Sequence, residues 1–146
     1  MIKAKDLRIG DLVIVNENCS LEQGTIGKVS EVRSTPLYKE NEGSIGLKPI
    51  SNDRWPWGVL CRNFDPIPLT PEILKKNGWR TRTEGWYFMM ISKYMYLSVE
   101  FGYENGIRVF LKRTTDGLYV KLNVANNVHE LQHILWALGK DANLKI

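Results

Sequence analysis

The sequence predicts an α+β protein: a small N-terminal β-barrel, then a four-stranded antiparallel sheet covered by a C-terminal helix. Short apolar runs separated by Asn, Gly, Ser and Pro fill residues 11–64, the pattern of brief strands joined by many turns. After "DPIPLTPEILKKNGW" (65–79) the chain alternates apolar and polar residues, and from Val128 a helical period takes over. With 146 residues, 43% of them hydrophobic and 25% charged, the chain can bury a core of its own in one domain or two small ones.

The first strands are "DLVIV" (11–15), "GKVSEV" (27–32), "SIGLKPI" (44–50) and "WGVLCRNF" (57–64). The run "LRIGDLVIV" followed by "GTIGKVSEV" resembles the opening hairpin of SH3-like barrels, including the KOW type used by many ribosome- and RNA-associated proteins. That resemblance implies an SH3-like barrel over residues 1–69, with Gly10, Gly24 and Gly27 at tight turns and close strand approaches. The prolines of "DPIPLTP" end the barrel, and the domain boundary falls near Leu69, leaving 70–146 for a helix, the sheet and the final helix. Thr70 can cap the first of these helices, Pro71 suits its first position and Gly78 its exit.

Four strands follow, at about 79–91, 93–103, 106–113 and 117–124, with Asp116-Gly117 marking the last hairpin. Alternation puts Met95, Leu97, Val99 and Phe101 on one face with Ile107, Val109, Leu111, Leu118, Val120, Leu122 and Val124, a continuous apolar floor for a helix. The opposite face carries Tyr94, Tyr96, Arg108, Phe110, Lys112, Tyr119 and Lys121, aromatics interleaved with bases.

The final helix, about 128–138, contains "HELQH", the H-E-x-x-H spacing that lets two histidines hold zinc while the glutamate activates water. On a helical wheel Val128, Leu131, Ile134, Leu135 and Leu138 form one stripe, with His129 and His133 nearly opposite. Glu130, however, stands three residues after Asn127, and N-x-x-E at a helix start makes a capping box, which accounts for the carboxylate without catalysis. A catalytic zinc needs a third protein ligand, and the residues after His133 offer no His or Cys and one acid, Asp141. Peptide deformylases combine such a helix with an upstream Cys, but the glycine-rich and Glu-Gly-Cys motifs that accompany it there are missing here. The expectation is therefore no cofactor and no catalytic residue, the alternative being a zinc-dependent metallopeptidase with His129 and His133 as ligands and Glu130 as base.

The succession "IPLTPEILKKNGW", strand-rich middle and "VHELQHILWALG" resembles small proteins of unassigned activity carried by prophages and mobile elements of gut anaerobic bacteria. The resemblance spans most of residues 66–140 and implies an accessory role, without a mechanism.

Charge narrows the partner. Residues 1–69 hold nine Lys and Arg against nine Asp and Glu, while residues 70–146 hold eleven against seven, so the whole net charge of +4 lies in the second half. A basic half whose sheet face also presents rings suits a single-stranded nucleic acid, whose bases stack on aromatics while phosphates meet Lys and Arg. In "NDRWPWGV", Arg54, Trp55 and Trp57 surround Pro56 in a loop, the residue types that binding hot spots favour. Trp136 lies one turn from His133 on the helix's non-core side, a face suited to a neighbouring surface or a homodimer. Cys19 and Cys61 are too few and too far apart for a disulfide framework, and both are expected as reduced thiols. No leader-like N-terminus and no membrane-spanning apolar run stands out, so a cytoplasmic location and no membrane partner are expected. The sequence thus points to a non-catalytic binding or accessory protein. Its expected partner is a host or phage protein, or a weakly bound single-stranded nucleic acid, met through Arg54, Trp55, Trp57, Tyr94, Tyr96, Arg108, Lys112 and Lys121.

Overall fold

A computed structural model describes residues 4–17, 19, 21–33, 43–50, 59–60 and 63–146. The segment with Arg54, Trp55, Trp57 and Cys61 lies outside the described residues. The chain divides into two compact units, Met1–Ile67 and Pro68–Ile146. Among the described residues each is built on a five-stranded antiparallel sheet, and the class is α+β.

In the first unit a single 3₁₀ turn, Ala4–Asp6, precedes β1 (Leu12–Val15), β2 (Ile26–Arg33), β3 (Ser44–Pro49), β4 (Val59–Leu60) and β5 (Phe64–Pro66). The order across the sheet is β4-β3-β2-β1-β5. Among the described residues β4 and β5 remain its two edges, so the closed barrel expected from the sequence is not found. Period-two alternation on these strands delivers Val13, Val15, Val29, Ile45, Leu47 and Phe64 to one buried cluster, joined by Ala4 and Leu7 and flanked by Cys19. Gly27 explains how β2 and β3 come together over this cluster. A side chain there would collide with that of Leu47, so only a residue without a Cβ leaves room.

The second unit begins with α1 (Pro71–Lys76), where the Thr70 hydroxyl accepts from the Ile73 amide, Pro71 opens the helix and Gly78 at φ +79° follows its end. Then come β6 (Arg80–Thr83), β7 (Trp86–Ser92), β8 (Met95–Glu100), β9 (Arg108–Arg113), β10 (Tyr119–Val124) and α2 (Val128–Ala137), with the strands in the order β10-β9-β8-β7-β6. The sheet therefore has five strands and not four. The stretch read as one long strand from residue 79 turns at Glu84-Gly85, with Gly85 at φ +79°, and pairs back on itself. The last hairpin does turn at Asp116-Gly117, where the Leu118 amide donates to the Asp116 carboxylate.

Register confirms the two faces on β8 and β9 but corrects β10, where the bulge after Lys121 sets Val124 opposite Arg108 and so on the other face from the apolar floor. Leu97 pairs with Leu111 and Met89, and Val99 with Val109 and Tyr87, on the side where the apolar stripe of α2 is buried. Leu122 lines a groove with Ile134 of α2 and its C-cap Leu138, and just past the helix the Lys140 ammonium donates to the Ile91 carbonyl on β7, so α2 and its exit are tied across the sheet from β10 to β7. The apolar floor is not covered throughout. Leu118, just before β10, and Val120 on it are 62% and 63% exposed, at the free edge of the sheet where the last strand bulges between Lys121 and Asn123. No helix among the described residues is long and apolar enough to cross a membrane.

Candidate binding face of the second sheet

The face turned away from α2 is a lattice of rings and charges set by cross-strand register. Met90, Tyr96, Lys112 and Tyr119 form one row. Arg80, Phe88, Ser98, Phe110 and Lys121 form the next, and Trp86, Glu100 and Arg108 a third. Neighbouring rings meet edge to face, Phe88 with Tyr96 at 6.0 Å and Phe110 with Tyr119 at 5.6 Å between centroids.

In the third row, on the middle strand β8, Glu100, 2% exposed, is a buried carboxylate held by three donors. The Ser98 hydroxyl and the Lys112 ammonium donate to Oε1, and the Tyr103 hydroxyl donates to Oε2. A buried charge is tolerated when it is paired and its remaining lone pairs are met, as here. The hydrogen bond to Glu100, then partial burial, then the carboxylate's negative charge hold the Tyr103 hydroxyl above its ordinary range. The Lys112 ammonium also lies 4.5 Å from the centroid of Trp86, 5.1 Å from Phe110 and 5.8 Å from Tyr119, a cation walled by three ring faces. Arg108 stacks on Tyr103 at 3.8 Å.

Beside Lys112 the face hollows into a cavity of about 490 Å³ whose walls include Trp86, Phe88, Met90 and Tyr96, with Arg82 and Lys112 among the residues around it. This is within the roughly 300–1,000 Å³ usual for small-ligand sites, and its make-up of rings with a few polar groups is the usual one.

Of the binding residues named from the sequence, the fold gathers Tyr96, Arg108, Lys112 and Lys121 on this face. Tyr94 sits in the β7–β8 turn, exposed, with the Lys93 ammonium 5.4 Å over its ring and no part in lining the cavity. Arg80, Arg82, Trp86, Phe88 and Met90 were missed, because reading residues 79–91 as one strand lost their parity with β8. Glu84-Gly85 was the turn signal that would have recovered them.

The H-E-x-x-H helix has its own arrangement. The Glu130 carboxylate accepts from the Asn127 amide at 3.0 Å, which is the capping role. His133 is half-buried and stacks on Trp136 at 5.8 Å with 17° between the planes. His129 departs from the helical-wheel expectation: it is buried, 6% exposed, on the same flank as Gln132, whose amide nitrogen donates to the Ala142 carbonyl. The wheel treats α2 as lying on a sheet alone, whereas residues 140–146 return to the helices. There Asn77 on α1's C-terminal side exchanges hydrogen bonds with Lys145 at 2.8 Å in both directions. Zinc would have to be held by His129 and His133, whose ring centroids are 5.9 Å apart. Among the described residues no group of three His, Cys, Asp or Glu side chains comes together to complete such a site. No protein-family model matches the chain, and neither does any curated protein or solved structure.

Proposed function

We propose that the chain is a non-catalytic binding protein, of the accessory kind carried by phages and mobile elements, that engages single-stranded nucleic acid on the open face of its second sheet. The observation that carries this reading is the coincidence of an aromatic lattice with cationic groups around one cavity: Trp86, Phe88 and Tyr96 beside Arg82 and Lys112. Bases have π-faces that stack on such rings, and phosphates seek the outlying cations Arg80, Arg82 and Lys121, all of which are exposed. Lys112 and Arg108 are engaged within the face and contribute less to phosphate binding. The proposed SH3-like character of the first unit rests on its strand order, in which β1 lies between β2 and β5.

The deciding experiment is titration of the protein with short single-stranded DNA and RNA at low and raised salt. Binding that weakens steeply as salt rises, through counterion release, supports the reading. Absence of binding to any oligonucleotide at low salt removes it and leaves a protein partner in its place.

A further inference from the structure

We infer that the cavity beside Lys112 receives one unstacked base and selects guanine. The inference rests on the nucleic-acid reading of the same face and adds a chemical choice to it. The walls supplied by Trp86, Phe88 and Tyr96 accept any base by stacking and favour the larger purines, but they do not tell guanine from adenine. Discrimination has to come from the polar groups at the cavity, and the two charged ones are both donors. Lys112 gives one hydrogen bond to Glu100, and an ammonium has three protons, which leaves donors for a ligand. Arg82 is exposed in the β6 bulge at the cavity's edge and brings a fork of N–H groups. The Ser98 hydroxyl already donates to Glu100.

A base edge that answers two cationic donors must present two adjacent acceptors. Guanine does so with O6 and N7, whereas adenine puts an amino group beside N7; cytosine also has two adjacent acceptors, O2 and N3, but as a pyrimidine offers the cavity's rings a smaller face to stack on. Glu100 anchors the arrangement. Bound to a buried carboxylate and flanked by Trp86, Phe110 and Tyr119, the ammonium is held at the cavity and has little freedom to swing into solvent. A donor fixed before the ligand arrives loses less entropy on binding than a free surface lysine would.

The test uses the full chain and three short oligoadenylates, one unmodified, one with a single central guanine and one with a single central cytosine. The guanine-bearing strand is expected to bind at least about fivefold more tightly than the other two. The double variant Lys112→Met with Glu100→Gln conserves net charge, and so keeps the long-range attraction while removing the fixed donor. It should bring the three affinities within about twofold of one another, with circular dichroism checking that the fold is retained. Arg82→Ala, at an exposed position, provides the same test without touching the buried pair. Equal affinities for the three strands in the wild type, with a steep salt dependence, would overturn the guanine pocket and leave nucleic-acid binding standing. No binding to any strand removes both. A guanine preference that survives in the folded double variant and in Arg82→Ala also overturns the assignment.

Discussion

Lys112 on β9 is bound to Glu100 on β8, passing over its own cross-strand neighbour Tyr96 to lie diagonally across the open face. The side chains of the pair are 14% and 3% exposed, so neither charge is left to bulk water. Lys112→Met would strand a carboxylate in a buried site and is expected to cost about 3 kcal/mol, at the lower end for breaking such a pair. Adding Glu100→Gln should restore most of that loss, since an uncharged pair has no uncompensated charge. Urea denaturation of the two single variants and the double one measures the coupling. If the single losses simply add, the pair does not interact as described.

Tyr103 gives the same site a pH signature. Its pKa is raised in the folded chain above the ordinary value of 10.0, chiefly because its hydroxyl donates to Glu100. The stabilisation therefore belongs to the protonated form. It is fully present below the unfolded value and is lost as pH rises through the higher folded one. The wild type should hold a constant stability lead over Tyr103→Phe up to about pH 10, and that lead should vanish at higher pH. Ultraviolet difference titration should show one tyrosine ionising late in the wild type and missing from the variant.

For α2, Leu131 and Leu135 are buried in the stripe, and replacing either by Ala should cost roughly 2–5 kcal/mol. Asn127→Ala should cost about 1 kcal/mol by loosening the helix start. His133→Ala should matter less, because its ring is only half-buried against Trp136. A chelator is expected to leave the thermal midpoint of the wild type where it was. A drop in midpoint with chelator alone, matching that of His133→Ala, would restore the zinc alternative.

Gly27→Ala tests the first unit. The added methyl would meet the fully buried Leu47 side chain, and Gly27 and Leu47 lie in the regular stretch of β2–β3 pairing before the bulge that follows Val29. A loss of about 1–3 kcal/mol is expected, typical of an overpacked core. A variant as stable as the wild type would mean that the two strands do not approach each other so closely.

What the sequence made legible was whatever depends on local chemistry. Asn127 and Glu130 announce a capping box by spacing alone, Thr70-Pro71 announces a helix start, and alternation over 95–100 and 108–113 separates the two faces of β8 and β9. What escapes it depends, the local Glu84-Gly85 turn apart, on distant parts of the chain. The Glu84-Gly85 turn was outweighed by the continuous apolar and aromatic run that follows it, so the strand count came out at four. His129 looked exposed because a helical wheel contains no returning segment, and the burial of its flank becomes visible only where Gln132 meets Ala142. Glu100 carries no local signal of its role. Its partners Ser98, Tyr103 and Lys112 lie up to 12 positions away, and only the β8–β9 register and the turn between them bring them to one carboxylate.

The two edges of the second sheet are unequal. β6 is short, bulged and carries Arg80 and Arg82 among four exposed residues, features that discourage a further strand from pairing. β10 is longer, although it too bulges, between Lys121 and Asn123, and with Leu118 just before it offers Leu118, Tyr119 and Val120 with one charge, Lys121. Sheet growth from this unit is accordingly one-directional. If two copies met through their β10 strands, antiparallel about Val120, each Leu118 would oppose a Leu122 and each Lys121 a Tyr119, so that no like charges faced one another. Both outer margins of the joined sheet would then be β6 strands. The arrangement is self-terminating: it has a stop at each end, and the exposed apolar strand would give a capped pair where an unguarded second edge would permit a fibre.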